Sequence, residues 1–564
     1  MVMSAQERSI LYKKAQDYIR AEREAHFRQE VIDAVEENAD EELYERFYTS
    51  LSFGTAGIRG IIGGGTNRIN PYIVRKVTQG FADYLVSQHS DPMVVIAYDS
   101  RNYSDLFAQQ AALTMCANGV KVYLYDSLRP VPMLSFALRY LKATAGIVIT
   151  ASHNPAKYNG YKVYWSDGGQ VTPPHDLAIA ERISVVTPGS IRGMSISEAK
   201  QQELLKTVPL EVDEEYYAMV LKATKGELSD VKVAFTPLHG AANLPVRTLL
   251  ARLKVTCDVV SEQEESDGNF PTVSMPNPED PQAMRLAIEL AQRKGSDIVL
   301  GCDPDGDRLG IAIPTTPERE EYELLSGNQI AILLVDFLLN HKVKGTKRPV
   351  VVKSIVTSDL VRKIAETRGA VCRDVLTGFK YIGEQMALLE DSPTEQFLFG
   401  CEESFGYLPV SEVRDKDAIS SAVLAVEMMD FYLKKGLTLQ ARLEEIYQEY
   451  GFFGEVVLSY TYEGASGKQK MDQIMERFRA LRPKAKFADT TVERVADLLE
   501  GGVNALPSAD VLIIYFTSGE KMIVRPSGTE PKIKYYLFFD ARGMAKAQYL
   551  PRMQERVATF KGEL

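Results

Sequence analysis

The sequence predicts an α/β protein with three consecutive mixed, mostly parallel α/β sandwich domains and a smaller C-terminal α+β domain around a central cleft. Strands, loops and helices alternate along most of the chain, which is typical of parallel sheets covered by helices on both faces. The pattern changes near residue 450, where one helix is followed by several strands. A length of 564 residues allows three to five domains at roughly 100–200 residues each.

The individual elements follow from local patterns. Residues 4–40 are expected to be helical and heavily charged, and to form a surface extension rather than a core. Short apolar, β-branched runs predict strands at 94–97, 120–124, 147–149, 231–236, 297–301, 349–352, 397–399, 511–516, 522–524 and 533–538. Helices are predicted at 104–117, 132–141, 281–293, 328–339, 360–368 and 468–481. We place the domains at 1–210, 211–325, 326–450 and 451–564.

Composition and charge narrow the classes of function. The 45% hydrophobic and 25% charged residues are those of an ordinary globular protein. No apolar stretch of about 18 residues and no signal-peptide core is present, so we expect a cytoplasmic protein without a membrane partner. A net charge of −11 argues against nucleic acid as a partner. The five cysteines are scattered, which predicts buried thiols rather than a zinc site or disulfides.

The most informative motif is an acidic loop after a buried strand. Asp303, Asp305 and Asp307 alternate directly after the apolar run 297–301. Oxygen ligands with this spacing suit Mg²⁺ shared with a phosphate, although a solvated acidic turn has the same composition. An EF-hand is excluded, because its sixth position holds Arg308 rather than Gly and its twelfth holds Pro314 rather than Glu.

A second motif, at residues 150–155, follows the strand 147–149 and presents Ser152 and His153. Ser152 is a candidate nucleophile or phosphate carrier, and the alternative is a polar turn whose side chains only bond the backbone. A hydrolase triad is disfavoured, because the chain has only six histidines and lacks the G-x-S-x-G elbow. Lys162 is a candidate acid or base, if it is desolvated.

Two further loops have compositions suited to a sugar phosphate. Glu402 and Ser404 follow the strand 397–399 and can bind sugar hydroxyls, or can form a solvated acidic loop. Segments 377–380 and 414–417, which contain Thr377, Gly378 and Lys416, add cations on the expected rim.

The last loop is rich in phosphate-binding groups. Arg525, Ser527, Gly528 and Thr529 form a phosphate cradle in composition, with a plain turn between strands as the alternative. It is not a Walker loop, because G-x-x-x-x-G-K-[ST] is missing.

These motifs, in this order and together with the segment 53–60, resemble the α-D-phosphohexomutase superfamily, most closely its phosphoglucomutase branch. The resemblance spans nearly the whole chain and implies interconversion of glucose 1-phosphate and glucose 6-phosphate through a phosphoserine and a 1,6-bisphosphate. Phosphopentomutase, phosphomannomutase, glucose 1,6-bisphosphate synthase and a non-catalytic sugar-phosphate sensor remain alternatives. The Glu402-Glu403-Ser404 form looks like that of glucose-selective members.

The resemblance also implies roles for individual residues. Ser152 looks like the phosphoryl carrier, and Asp303, Asp305 and Asp307 look like Mg²⁺ ligands that this serine completes. The other implied catalytic residues are Arg59, Lys162, Arg308 and the neighbouring His153. Implied substrate-binding residues are Thr377, Gly378, Glu402, Ser404, Lys416, Arg525, Ser527, Gly528 and Thr529. Glucose 1,6-bisphosphate is the implied activator and intermediate, a phosphosugar is the partner, and the oligomeric state is a monomer or homodimer.

Overall fold

The computed structural model describes residues 3–54, 57–224, 228, 230–341, 343, 345–462, 465–501, 506–526, 532–541 and 543–564. The chain forms two compact units. The first comprises Met1–Leu325 and Gly406–Asp430, and the second comprises Ser326–Phe405 and Phe431–Leu564. Each of the three predicted sandwich segments and the C-terminal segment contributes strands to its own sheet. The domain boundaries and the shared central cleft stay predictions.

Three helices open the chain: α1 (Ala5–Ala21), α2 (Ala25–Glu36) and α3 (Asp40–Phe47). The apolar residues of α1 recur every three or four positions, which gives the helix one buried face. Phe27, Val31 and Phe47 are completely or almost completely buried in the core of the first domain. The expectation of a surface extension outside the core is therefore wrong, because the many charges occupy only the outer faces of these helices.

The first sheet combines parallel and antiparallel pairs. Its strands are β1 (Gly57–Ile61), β2 (Met93–Tyr98), β3 (Lys121–Leu124), β4 (Ala145–Ile149), β5 (Tyr158–Trp165) and β6 (Leu205–Thr207), in the order β1-β5-β4-β2-β3-β6. Its helices are α4 (Pro71–Gln88), α5 (Ser104–Ala117), α6 (Val131–Tyr140), α7 (His175–Ser184) and α8 (Ile196–Gln201). Strands β4, β2, β3 and β6 are parallel, and β5 and β1 add an antiparallel edge. This confirms the predicted mixed sandwich.

The second sheet repeats the arrangement. Its strands are β7 (Lys232–Thr236), β8 (Thr256–Val259), β9 (Ile298–Cys302), β10 (Leu309–Pro314) and β11 (Tyr322–Leu324), in the order β11-β10-β9-β7-β8. Its helices are α9 (Leu210–Ala223), α10 (Asn243–Arg252), α11 (Ser261–Glu264) and α12 (Pro281–Lys294). The acidic loop joins β9 to the antiparallel β10, so it leaves the carboxyl end of a buried strand as predicted.

The third segment is a parallel sheet with strong helical cover. Strands β12 (Arg348–Ser354), β13 (Val371–Val375) and β14 (Glu395–Glu402) are parallel, with β12 in the middle. A short strand, β15 (Gly406–Leu408), follows. The helices are α13 (Gly327–His341), α14 (Asp359–Thr367), α15 (Lys380–Glu390), α16 (Ala418–Lys434) and α17 (Leu439–Tyr450).

The C-terminal segment is an antiparallel sheet with two helices, as expected of an α+β domain. Its strands are β16 (Phe453–Thr461), β17 (Lys486–Phe487), β18 (Thr490–Asp497), β19 (Leu512–Phe516), β20 (Lys521–Pro526) and β21 (Lys532–Asp540), with helices α18 (Ala465–Arg479) and α19 (Lys546–Lys561). The order is β16-β21-β20-β19-β18-β17. Three of these strands were not predicted, since β18 in particular carries charged residues on its exposed face.

All five cysteines are free thiols, and four of them are buried, which confirms the prediction for Cys116, Cys302, Cys372 and Cys401, while Cys257 is half-buried. None of the described helices is both long enough and apolar enough to cross a lipid bilayer.

Candidate active site

The three aspartates of the acidic loop converge. One carboxylate oxygen of each of Asp303, Asp305 and Asp307 lies within 4.8 Å of the others, and all three side chains are buried. The turn between β9 and β10 is held by its own backbone: Gly306 N donates to the carbonyl of Asp303 at 2.9 Å. Gly306 has φ of +65°, and a Cβ there would lie 2.7 Å from Cβ of Pro130, so glycine is required at this position.

One side of the Asp303 carboxylate is used to build the loop. Its Oδ1 accepts hydrogen bonds from the backbone N–H groups of Asp307 at 3.1 Å and Arg308 at 3.0 Å. Burial, together with the nearby charges of Asp305 and Asp307, raises the pKa of Asp303 well above its usual range. Three buried carboxylates this close repel one another, and a cation between them would remove that repulsion.

The donor set fits a hard divalent cation. Oδ1 of Asp305 and Oδ1 of Asp307 are buried, and no donor among the described residues reaches either atom. Buried carboxylate oxygens without a partner are costly, unless a ligand fills the place. Oxygen ligands of this kind are the ones that Mg²⁺ takes when it is shared with a phosphate. The chain therefore carries a candidate metal site in which Asp303, Asp305 and Asp307 are the ligands.

Two lysines lie beside the triad. Lys162 Nζ is 2.7 Å from Asp305 Oδ2 and 3.4 Å from Asp307 Oδ2, and Lys416 Nζ is 3.1 Å from Asp307 Oδ2. Burial alone would raise the pKa of Asp307, but Lys416 and Lys162 hold it far below its usual range. Lys162 lies on β5 rather than in a loop, and Arg59 lies on β1, paired with β5. Lys416 was predicted for the sugar rim; its ammonium contacts Asp307 of the acidic loop, and its role in substrate binding stays a prediction.

Ser152 is placed at the same centre. Its hydroxyl donates to Asp303 Oδ2 at 2.8 Å, and its Oγ lies 3.1 Å from Nδ1 of His153. Ser152 is buried and has φ of +52°, in the left-handed region that few residues other than glycine adopt. The loop after β4 and the loop after β9 therefore meet at one point, and the hydroxyl faces the three aspartates.

Cationic groups surround this loop. Arg59 Nη1 donates to Asn154 Oδ1 at 2.7 Å, and Arg308 Nη1 donates to Glu279 at 2.6 Å. Burial, and then the charges of Arg308 and Arg59, lower the pKa of His153 well below its usual range. His153 is therefore neutral near pH 7, and the positive charge at the centre comes from arginine and lysine.

The second unit holds the predicted sugar-binding loops. Gly378 N donates to Glu402 Oε1 at 2.7 Å, so the segment with Thr377 and Gly378 lies against the segment with Glu402 and Ser404. Thr377 Oγ1 is buried, and no group among the described residues bonds to it. Burial, together with the charge of Glu402, raises the pKa of Glu403 to about 7. The two loops thus form one group of oxygens suited to hydroxyl ligands.

The predicted phosphate loop starts at the end of β20. Arg525 lies on that strand. The pKa of Tyr536 is raised above its usual range by burial and by the charge of Glu403, against the opposing effect of Arg525. Arg525 and Glu403 therefore both lie close to the Tyr536 hydroxyl. Ser527, Gly528 and Thr529 lie outside the described residues.

Sequence reasoning missed a polar layer behind Ser152. Asp99 and Thr150 are buried and bonded to each other, and Thr150 Oγ1 lies 3.2 Å from Asp305 Oδ2. The one available signal was that Asp99 and Arg101 follow β2 at the same edge of the sheet as Ser152 follows β4.

Comparison with known proteins gives consistent matches over most of the chain. Family models for phosphoglucomutase/phosphomannomutase match domain I at residues 50–188, domain II at residues 214–316 and domain III at residues 326–450. All three are described as alpha/beta/alpha domains.

Relatives include a phosphoglucomutase of Staphylococcus epidermidis, 40% identical over 520 residues, covering 90% of this chain and 94% of the relative. A phosphoglucomutase of Staphylococcus aureus is 37% identical over 522 residues, covering 89% of this chain and 92% of the relative. The fold matches a phosphoglucomutase/phosphomannomutase family protein from Burkholderia thailandensis, with a TM-score of 0.67, 18% identity, and coverage of 91% of this chain and 96% of that one.

Proposed function

Because the chain belongs to the phosphoglucomutase/phosphomannomutase family, in the phosphoglucomutase branch of the α-D-phosphohexomutases, we propose that it interconverts glucose 1-phosphate and glucose 6-phosphate. Relatives at 36–40% identity over most of their length are phosphoglucomutases, which favours glucose over pentose or mannose phosphates. The observation that carries the proposal is the 2.8 Å hydrogen bond from Ser152 Oγ to Asp303, within a buried group of three aspartates.

The proposed reaction has two phosphoryl transfers. Phosphorylated Ser152 gives its phosphoryl group to the free hydroxyl of the bound sugar monophosphate: the bond from phosphorus to Oγ breaks, a bond to the sugar oxygen forms, and the hydroxyl proton passes to a base. The resulting glucose 1,6-bisphosphate reorients in the site, so that its other phosphoryl group faces Ser152. Its other phosphoryl group then returns to Ser152, so no phosphate is gained or lost.

The residues around Ser152 have the charges that this step requires. Phosphoryl transfer depends mainly on in-line positioning and on neutralising the oxygens of the transferred group. Mg²⁺, held by Asp303, Asp305, Asp307 and the serine phosphate, would supply part of that charge. Arg59 on β1 holds the serine loop through Asn154, and we propose that Arg308 and His153 line the same centre.

Lys162 is the proposed acid/base residue. Burial alone would lower its pKa, but Asp305 and Asp307 hold the pKa of Lys162 above its usual range. The ammonium is therefore charged at neutral pH and can donate a proton to the leaving oxygen. Lys416, which contacts the same oxygen of Asp307 as Lys162, adds a second positive charge for the phosphoryl group.

We propose that Thr377, Gly378, Glu402 and Ser404 bind the sugar hydroxyls, supported by the contact between Gly378 N and Glu402. Arg525, with Ser527, Gly528 and Thr529, would bind the phosphate that is not reacting. Because both ends of the intermediate carry a phosphate, one such clamp serves both orientations.

The test is a coupled assay for conversion of glucose 1-phosphate to glucose 6-phosphate, with intact-mass measurement of the phosphoserine. Ser152→Ala is expected to lose the phosphoryl mass and nearly all turnover. Ser87→Ala is the matched control, because Ser87 lies on α4, where its hydroxyl donates to the carbonyl of Tyr84 and accepts from Gln88 Nε2. Wild-type turnover by Ser152→Ala would reject the proposal. A panel of glucose, mannose, ribose and deoxyribose 1-phosphates measures the preference for glucose.

A further inference from the structure

Arg101 holds the backbone of the serine loop. Its guanidinium donates to the carbonyl oxygens of Ser152 at 2.6 Å, Pro155 at 3.0 Å and Tyr158 at 2.9 Å, and also to that of Asn154. The side chain is buried, with 2% of the residue exposed. Four carbonyl dipoles that converge on one point repel one another, and a planar guanidinium with five donors in a fixed arrangement cancels that repulsion.

This clamp acts at the residue that the proposed reaction uses. Ser152 has φ of +52°, a backbone conformation that costs free energy and persists only where the surroundings impose it. Arg101 bonds the carbonyl of Ser152 itself and three carbonyls of the next six residues. The strained conformation that aims the hydroxyl at Asp303 is therefore fixed from behind by one side chain.

Asp99 ties the same loop to the acidic centre. Its carboxylate accepts hydrogen bonds from Ser104 Oγ at 2.8 Å, from Arg101 N at 3.0 Å and from Thr150 Oγ1 at 2.6 Å. Thr150 Oγ1 in turn accepts from Ser152 N at 2.8 Å and lies 3.2 Å from Asp305 Oδ2. The Thr150 hydroxyl therefore contacts Asp99, the backbone of Ser152 and the proposed metal ligand Asp305.

Arg101 and its neighbour Asn102 also contact the loop between α11 and α12 of the second sheet domain. The Arg101 guanidinium lies over the ring of Phe270, 5.0 Å from its centroid, and Asn102 Nδ2 donates to Asn269 Oδ1 at 2.9 Å. A Cβ at Gly268 would lie 2.3 Å from Asn102 N, so only glycine allows this approach. The second sheet domain is thereby seated directly against the residues that clamp the serine loop.

We propose that Asp99 and Arg101 are positioning residues for phosphoryl transfer, which set the distance and direction between Ser152 Oγ and the three aspartates. The inference rests on the proposed function. The described hydrogen bonds of the Arg101 guanidinium are to backbone carbonyls, and it pairs with Asp99 at 3.4 Å, so it is bonded to the loop and its support rather than to the three aspartates. Small displacements of a reacting atom are costly, since a shift of about 1 Å lowers a rate by up to about 100-fold.

The experiment compares two buried arginines of the same domain. In Arg101→Lys the charge remains, but the three donors of an ammonium cannot span four carbonyls, so kcat is expected to fall ~10- to 100-fold with KM within about twofold. Arg75→Lys is the matched control, because Arg75 is also buried and pairs at 3.2 Å with Glu22, which follows the N-terminal helix α1. It is expected to lower the melting temperature without lowering kcat.

A spectroscopic readout separates positioning from stability. The ³¹P resonance of phosphorylated Ser152 is expected to shift or broaden in Arg101→Lys and to stay in place in Arg75→Lys. If Arg101→Lys does not fold, Thr150→Val replaces it, since this change removes one hydroxyl and keeps the shape; the same fall in kcat is expected.

The outcomes distinguish the two proposals. Absence of mutase activity in the wild-type protein would reject the proposed function itself. Wild-type activity together with an unchanged kcat and an unchanged ³¹P resonance in Arg101→Lys, or an unchanged kcat in Thr150→Val, would overturn the positioning role. An equal fall of kcat in Arg75→Lys would also overturn it, because the effect would then follow general destabilisation.

Discussion

Ser152 and Asp303 are separated by 151 positions in the sequence, yet the hydroxyl of the first donates a 2.8 Å hydrogen bond to the carboxylate of the second. The contact joins the loop after β4 in one sheet to the loop after β9 in another. A phosphoryl group on Ser152 would therefore lie directly beside the aspartates, so that serine chemistry and cation binding share one centre.

We expect activity to depend on a divalent cation. Incubation with EDTA should abolish turnover of glucose 1-phosphate, and added Mg²⁺ should restore it, because Oδ1 of Asp305 and of Asp307 are buried and unpaired within the described chain. Asp305→Asn should lower the affinity for Mg²⁺. More Mg²⁺ should then be needed to restore activity, and added Mg²⁺ should raise the melting temperature less than in the wild type. Asp91→Asn, which changes an exposed carboxylate, is the control. Full activity after exhaustive chelation would contradict the metal site.

Lys162→Met should lower kcat at saturating Mg²⁺ by about 10²–10⁴-fold, the usual range for loss of a positioned acid or base. The ammonium lies 2.7 Å from Asp305 and its pKa is raised by Asp305 and Asp307 against the effect of burial, so it is held in the proton-donating form. Steady-state kinetics measure the loss. Lys121→Met, at an exposed pair with Asp91, should retain wild-type kcat. A drop of less than threefold in Lys162→Met would show that another group transfers the proton.

The sequence was sufficient for the acidic loop and for Ser152, and the reasons are local. Three carboxylates at alternate positions after an apolar run, and a serine directly after a β-branched run, each predict a polar loop at the carboxyl end of a strand. The alternation of strands and helices thus predicted the fold class and the place of each loop on its own sheet. The meeting of the loop after β4 with the loop after β9 does not follow from this pattern, because the two strands belong to different sheets.

The supporting residues could not be predicted in the same way. Asp99 and Thr150 each look like a residue of an ordinary polar turn, and their bond becomes visible only when β2 and β4 are seen to be neighbours. Lys416 shows the same limit, because loop composition gives the presence of a cation and not the direction of its side chain. The charged N-terminal helices were misjudged since their overall charge hid the narrow apolar faces that are buried.

A buried ion network in the second unit should be essential for stability. Lys353 is fully buried, and its Nζ lies 3.1 Å from Asp374, 3.3 Å from Asp359 and 3.0 Å from the carbonyl of Thr357. Asp359 also pairs with Lys521 on β20 at 2.5 Å, which links the parallel sheet to the C-terminal sheet. Lys353→Met should cost about 3–5 kcal/mol of unfolding free energy, because two carboxylates lose a buried partner.

Urea unfolding followed by circular dichroism measures this change. Lys121→Met removes an exposed ion pair of the same type and should change the unfolding free energy by less than about 1 kcal/mol. Equal effects of the two substitutions would show that the buried network contributes no more than a surface pair.

Glu455 should give this unit a pH-dependent stability. Burial, with a smaller contribution from Asp359, raises the pKa of Glu455 from 4.5 to about 7, against the effect of a hydrogen bond from Ser358. Since the folded state holds a proton that the unfolded state releases, stability is highest below the unfolded pKa and falls as the pH rises from 4.5 to about 7. Glu455→Gln should remove this fall and raise the unfolding free energy at pH 8 by about 3 kcal/mol, with little change at pH 4.5. Urea unfolding midpoints measured across this pH range check the prediction, with Glu493→Gln, at an exposed position, as the control. If Glu455→Gln kept the wild-type dependence of stability on pH, the proton would belong to another group.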